Sequence, residues 1–344
     1  MSPRTGIRTR TLTIGLLVLL AVIVLAGTVP VPLVALGPGP TFNTLGVVRG
    51  QTVVTVTGRP SFPTTGHLEM TTVGVTDNLR TFDALRAWFN RQQELMPRAV
   101  IFPPGRTNEQ VEQENSAQFA SSENDAEVAA LSYLKVPVKV EVGPMSPNAP
   151  ASVVLKLGDQ LLSVNDQQVT APGQVSQALL ATRPGQQIQV TYQRNDGPAT
   201  NATITLGSRP DGPQGFLGMV PSGEPLTPNQ IVISLGDIGG PSAGLAFALA
   251  VVDKLTPDDL TGGRFIAGTG TIDATGVVGQ IGGISLKMIG AREAGATVFL
   301  VPAANCAEAA AHAPPGLQLI KVSTLSGAVT ALNDLKANRP VPGC

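Results

Sequence analysis

Two short segments of this chain hold residues whose types and spacing suit acyl-transfer chemistry. The first runs Gly236-Asp237-Ile238-Gly239-Gly240-Pro241-Ser242-Ala243-Gly244. It follows the apolar run Ile231–Leu235 and precedes a second apolar run, Leu245–Leu255, stopped by Thr256-Pro257. That pattern reads as strand, glycine-rich turn and helix, with Ser242 at the junction. Glycines let backbone amides approach a ligand closely. A helix N-terminus offers unpaired amides and a positive dipole end, both favourable to a developing oxyanion. On position alone Ser242 could equally be a helix cap. The second segment runs Gly276-Val277-Val278-Gly279-Gln280-Ile281-Gly282-Gly283-Ile284-Ser285-Leu286-Lys287, with Thr269-Gly270 before it. A lysine acts as general base only when neutral, so its pKa must fall from about 10.4 toward 7–8. That shift destabilises the ammonium by roughly 3–5 kcal/mol, which burial among apolar groups can supply. Ile284, Leu286, Met288 and Ile289 flank Lys287, and no carboxylate follows until Glu293. Taken alone, Lys287 is an ordinary surface lysine on a helix.

Together the two segments resemble the proteolytic domain of Lon, a Ser-Lys dyad protease. The likeness rests on Gly-Pro-Ser-Ala-Gly around Ser242, on Ile281-Gly-Gly six positions before Lys287, on Thr269-Gly270, and on Pro302 to Asn305 after an apolar run. The resemblance implies Ser242 as nucleophile, Lys287 as general base and Thr269 as a hydrogen-bond partner of the lysine. It implies the backbone of Gly239, Gly240 and Ser242 as the oxyanion-binding loop. The family's acidic residue three before the serine is replaced by Gly239. Asp237 stands two residues earlier and is given no catalytic role.

The rest of the composition narrows the chemistry by exclusion. With 344 residues, 42% hydrophobic, the chain can build two or three cored domains. Its net charge of −1 and scattered basic residues give no footprint for nucleic acid. The phosphate-cradling pattern GxxxxGK[ST] is absent, so no nucleotide-driven motor and no cofactor is expected. The two histidines, His67 and His312, and two cysteines, Cys306 and Cys344, form no metal-ligand spacing. The cysteines could pair outside the cytoplasm; the terminal position of Cys344 weighs against it.

The elements that must position the site are sought along the chain. Residues 208–338 are expected to form the α/β proteolytic domain. Residues 133–207 change character: Val136–Val142 alternates valine with polar residues, as an edge strand does. Then come Pro147-Asn148-Ala149-Pro150-Ala151, the Lys156-Leu157-Gly158-Asp159 turn, a helix near Pro172–Leu180, and Pro184-Gly185 before a strand Ile188–Gln193. This order resembles a PDZ domain, which binds an extended peptide as an added strand beside a helix. The resemblance implies a groove at Val136, Val138, Val140 and Val175. Pro137 removes one backbone donor from that strand. The bland alternative is a small β domain that only packs.

Residues 38–132 read as a mixed α/β region without chemistry. Strands are expected at Gln51–Thr57 and Leu68–Val75. A helix capped by Thr81 should bury Phe82, Leu85, Trp88 and Phe89 on one face. A second helix opens with a Thr107/Gln110 capping box and carries Glu109, Glu112 and Glu114 on a solvated face. At the N-terminus, Arg4, Arg8 and Arg10 precede the apolar stretch Leu12–Val29, ended by Pro30 and Pro32. Its length approaches the roughly 20 residues that span a bilayer. Residues 11–30 are therefore expected to be an uncleaved transmembrane helix, longer than a signal-peptide core. The positive-inside rule then places the N-terminus in the cytoplasm and the remainder outside.

The expected fold is thus multidomain, α/β and α+β: anchor, mixed region, PDZ-like β domain and Lon-type proteolytic domain. The full order resembles bacterial membrane-anchored PDZ-Lon proteases. That resemblance implies an ATP-independent, extracytoplasmic serine endopeptidase acting on peptides or proteins, in a homo-oligomeric ring. The alternative, kept alive by Gly239 and Pro137, is an inactive scaffold whose PDZ-like domain captures peptides.

Overall fold

Alternating runs in the sequence mark half-buried strands, and continuous apolar runs mark strands covered on both faces. The computed structural model contains both kinds and describes residues 3–209, 212–227, 230–235 and 238–344. Helix α1 (Pro3–Thr28) leads into β1 (Leu33–Asn43), β2 (Val54–Val56) and β3 (His67–Thr76). Helix α2 (Thr81–Phe89), β4 (Glu94–Pro97) and the long helix α3 (Asn108–Tyr133) follow. The middle of the chain supplies β5 (Val138–Met145), β6 (Gln160–Val164), α4 (Pro172–Leu179), β7 (Gln187–Gln193), β8 (Thr200–Thr205) and β9 (Met219–Pro225). The remainder supplies β10 (Ile231–Ile233), α5 (Gly244–Leu255), β11 (Phe265–Gly268) and α6 (Ile284–Ala294). It ends with β12 (Val298–Pro302), α7 (Cys306–Ala311), β13 (Gln318–Val322) and α8 (Leu325–Lys336).

These elements form two compact units. The smaller comprises the segments up to Pro40 and Thr72–Val111. In it β1 pairs antiparallel with β4, from Leu33↔Pro97 to Leu36↔Glu94. Its apolar centre is Ala35, Leu79 and Ala87, and Arg98 grips Asp77 through two 2.8 Å hydrogen bonds. Helix α2 is rotated from its expected setting. Ala84 and Ala87 are buried, whereas Phe82, Leu85, Trp88 and Phe89 are exposed, Trp88 by 75%. The two alanines allow the close approach, and Arg80, not Thr81, is the N-cap residue, its amide donating to Asp83 at 3.1 Å.

The expected membrane anchor is overturned. Among the described residues no helix is long and apolar enough to cross a membrane. The single-pass topology, with its cytoplasmic N-terminus and extracytoplasmic catalytic domain, falls with it.

The larger unit, Thr41–Thr71 with Glu112–Cys344, is built on two large sheets. The first runs β13-β12-β11-β3 with every pair parallel. It is covered on both faces. Leu68, Met70, Ile266, Val298 and Leu300 pack with α5 and α8; Ala267, Phe299 and Val301 pack with Ile284, Met288 and Ala291 of α6 and Ala309 of α7. All five residues of β12 are buried, as a central parallel strand requires. Residues 41–71, expected in a separate N-terminal region, instead lend β3 to this sheet and β2 to a ribbon with β10. Cys306, at the start of α7, is disulfide-bonded to Cys344, so the terminal position did not prevent pairing.

The second sheet is antiparallel, in the order β8-β7-β6-β5-β9. Val140, Val142, Leu161, Ile188 and Val190 meet Val175, Ala178 and Leu179 of α4 in one core. Asp159 of the Gly-Asp turn is buried, accepts from the Lys156 amide at 2.8 Å, and receives a forked pair of bonds from Arg194. β5 is interior, flanked by β6 and β9, and Pro137 lies just before it.

Candidate active site

Ser242 is placed by backbone constraints on both sides. Gly240 adopts φ 89°, a left-handed setting that a side chain would strain. It feeds a single turn of 3₁₀ helix, Pro241–Ala243, from which α5 starts at Gly244. Helix α5 is anchored because Gly244 through Asp253 are all buried. The serine itself is half-buried and therefore reachable. Its carbonyl accepts from the Gly270 amide at 3.0 Å and from the Thr269 hydroxyl at 3.1 Å.

The loop is also held from behind by α3, in the region where no chemistry was expected. The Gly240 amide donates to the Asn115 carbonyl at 2.9 Å, and Ser122 Oγ donates to the Pro241 carbonyl at 3.0 Å. A Cβ added at Gly239 would stand 2.8 Å from Asn115 Cβ. Helix α3 thus fills the space an acidic side chain would need, which accounts for the glycine at this position. The same bonds revise the oxyanion expectation. Gly240 N is already engaged by the Asn115 carbonyl. Asp237 lies outside the described residues.

Lys287 reaches the serine from the opposite side. Gly283, at φ 68°, starts α6, and Lys287 sits in its first turn with its amide bonded to the Gly283 carbonyl. Its side chain is 4% exposed, among Ile284, Leu286 and Met288, all buried. Nζ lies 2.6 Å from Ser242 Oγ and 3.1 Å from Thr269 Oγ1. Burial lowers its pKa from 10.5 to about 8. An ammonium loses hydration in such a place, so the neutral amine is favoured. The loop before α6 is clamped by Asn305, whose side chain accepts from Ile281 N at 3.0 Å and donates to Ile281 O at 2.9 Å. That explains the asparagine of the Pro302–Asn305 motif.

Sequence and geometry agree on Ser242, Lys287 and Thr269 as one cluster. A histidine is not part of it. His67 is stacked on Phe265 at 4.4 Å, and His312 ends α7, exposed. No group of metal-ligating side chains occurs among the described residues. A serine hydroxyl that can be reached, a desolvated lysine amine beside it, and a threonine hydroxyl linking that amine to the serine backbone are groups that acyl transfer can use.

The valines expected to line a peptide groove do not border an open strand edge. Val138 and Val140 are buried in β5, Val175 is buried in α4, and Val136 is half-buried before β5. With β6 and β9 on its two sides, β5 has no open edge for another strand. The sheet's edge near α4 is β9: a Cβ at Gly223 would meet Pro172 at 3.2 Å. Asn124 of α3 donates to the Gly223 carbonyl at 3.1 Å. The legible signal was the Gly215-Phe216-Leu217-Gly218 turn leading into Met219–Pro225. A separate cleft of about 840 Å³, bordered by Tyr133, Lys135, Gln174, Thr275 and Ser326, includes no residue of the Ser242 cluster.

Comparison with known proteins agrees with this division. Residues 111–206 match the PDZ domain family, and residues 236–331 match the Lon protease (S16) C-terminal proteolytic domain. The chain is 44% identical over 63 residues to a Lon protease of Clostridioides difficile, covering 18% of this chain and 8% of that one. It is 44% identical over 66 residues to Lon protease 2 of Herpetosiphon aurantiacus, covering 19% and 8%. It therefore spans under a tenth of the length of these relatives. Among solved structures, PDZ domains of SdrC-like proteins from Listeria monocytogenes and Listeria innocua match at 21% and 17% identity. They cover 24% of this chain and 84% and 92% of theirs, each with a TM-score of 0.22. The chain thus contains a PDZ domain and a Lon-type proteolytic domain.

Proposed function

We propose that this chain is an ATP-independent serine endopeptidase that cleaves peptides or proteins with a Ser242–Lys287 dyad. The observation that carries the reading is the 2.6 Å contact between the reachable Ser242 hydroxyl and the buried Lys287 amine. Neutral Lys287 accepts the Ser242 proton as Oγ attacks the substrate carbonyl. The Ser242 amide, at the positive end of α5, is placed to donate to the oxyanion. Lys287 then delivers its proton to the leaving amine. Water, deprotonated by the same lysine, releases the acyl group. Thr269 keeps the lysine on line with the serine. No step calls on a nucleotide, in keeping with the missing phosphate-binding motif. The PDZ domain would receive an extended peptide along β9, beside α4.

The scaffold alternative loses its two supports, since Gly239 packs on Asn115 and Pro137 lies outside β5. The test is cleavage of an unfolded, alkylated protein without ATP, together with labelling by a fluorophosphonate. Wild type should cleave and be labelled at Ser242, and Ser242→Ala should do neither. Equal cleavage by both would refute the dyad; failure of wild type to be labelled would refute an activated serine.

A further inference from the structure

The dyad leaves one hydrogen bond unaccounted for. An ammonium has three N–H donors, whereas a neutral amine has two and a lone pair. Nζ donates to Ser242 Oγ at 2.6 Å and to Thr269 Oγ1 at 3.1 Å. When Lys287 takes the serine proton it holds three donors, and these two hydroxyls accept only two. A buried ammonium with an unmet donor is costly.

One nearby side chain has the complementary defect. Thr71 is 2% exposed, and its hydroxyl has no hydrogen-bond partner. It lies on β3, one residue past Met70, which pairs with Gly268 of β11. It is therefore the neighbour of Thr269, across a strand spacing of about 4.8 Å. Its face follows from alternation. Leu68 and Met70 share a core with Ile266 and with α5, so Glu69 and Thr71 point to the other face. On that face Ala267 packs against Ile284 and Met288 of α6, the helix that carries Lys287. An orphaned hydroxyl thus sits in the layer of the lysine, next to the lysine's known partner.

We propose that Thr71 is the third acceptor of the Lys287 ammonium, the form that Lys287 takes when it accepts the proton of Ser242. In that step the Ser242 O–H bond breaks and the N–H bond forms. Oγ bonds to the substrate carbonyl carbon, whose π electrons move to the oxygen. A turn of Thr71 about χ1, or a small displacement of the lysine tip, completes the third hydrogen bond. The inference rests on the dyad reading. Other ionisable groups on the elements around Lys287 are His67 and Glu69 on β3, 3.4 Å from each other, and Arg292 and Glu293 near the far end of α6. None of them is among the causes that act on Lys287, where burial alone operates.

The test is the rate of fluorophosphonate labelling of the full chain from pH 6 to 10, for wild type, Thr71→Val and Thr71→Ser, with thermal unfolding of each. Wild-type labelling should rise through the Lys287 titration; if wild type is not labelled, the dyad reading itself fails. Valine keeps the shape and removes the acceptor. T71V should keep its melting temperature and label about 10- to 100-fold more slowly at the plateau, the range spanned by a hydrogen bond to a charged group. Its rising limb should move to lower pH, because an acceptor for the ammonium holds the lysine pKa up. T71S should stay near wild type. Superimposed T71V and wild-type profiles would overturn the proposal. So would a slower rate with an unmoved limb, an equally impaired T71S, or a marked loss of T71V stability, each of which assigns Thr71 a resting structural role.

Discussion

Replacing Lys287 by methionine should abolish activity and make the protein more stable at neutral pH. Methionine matches the lysine stem in length and carries no charge into a pocket formed by Ile284, Leu286 and Met288. The magnitude follows from the pKa, lowered by burial from 10.5 to about 8. At 1.36 kcal/mol per unit, the folded state pays about 3 kcal/mol to keep this lysine charged. Below pH 8 both folded and unfolded states bind the proton, and the cost is present in full. Between pH 8 and 10.5 the unfolded chain holds the proton and the folded chain does not, so wild-type stability rises with pH. Above 10.5 the cost is gone. The lysine also makes hydrogen bonds to Ser242 and Thr269, each contributing about 1 kcal/mol that the variant forfeits. The net advantage of K287M at pH 7 is therefore smaller than the full cost, about 1–2 kcal/mol. The cleaner quantity is its change with pH, since the forfeited bonds are present at every pH. Urea unfolding of wild type and K287M should give a stability gap that shifts toward wild type by about 3 kcal/mol from pH 7 to 10.5. A gap independent of pH would show that Lys287 is not desolvated, and the basis for its acting as a neutral base would fall.

Gly239→Ala should cost about 1–3 kcal/mol, typical of an extra methyl forced into a packed site, and should slow fluorophosphonate labelling, because the new Cβ stands 2.8 Å from Asn115 Cβ; a variant within 0.5 kcal/mol of wild type would refute the packing argument. Cys344→Ser should lower stability by about 2–4 kcal/mol, the range for a cross-link closing a loop of this size, with Cys306 and Cys344 separated by 38 in sequence. Unchanged unfolding of oxidised wild type on adding reductant would remove that expectation.

The sequence was most legible where backbone conformation and chemistry impose residue types together. Gly240 is demanded by a positive φ, and Ile284 and Met288 by a pocket that must be dry, so the serine and lysine segments carried their own context. It was least legible where the deciding contact is far away in the chain. Val136–Val142 alternates as an edge strand should, yet β9, reached only after strands β6, β7 and β8 and helix α4, closes that edge. In α2 the aromatic stripe outweighed Ala84 and Ala87 on paper, although small residues give a helix its closest approach. Cys344 pairs because the chain returns to α7, a return that no local pattern encodes. Thr71 offered no signal, because a threonine in a strand is ordinary until its neighbour is known to be the partner of a buried lysine.

The helix α3 joins what the sequence kept apart. It runs through the segment that matches a PDZ domain, yet Asn115 and Ser122 hold the backbone of the serine loop. Two residues further on, Asn124 holds the Gly223 carbonyl of β9, the edge strand beside α4. All three contacts lie within one rigid element, whose buried face includes Phe119, Ser122, Ala126 and Val128. Phe119 meets Phe247 of α5 edge to face at 5.6 Å, so the helix is keyed into the same core that anchors the Ser242 turn. A proteolytic domain excised at the boundary of its sequence family would lose α3, leaving the Gly240 amide and the Pro241 carbonyl unpaired and Phe247 uncovered. The unit that can hold Ser242 in place is therefore larger than the segment that carries the Lon-type motifs, and it includes β3 and α3, which precede that segment by about a hundred residues or more.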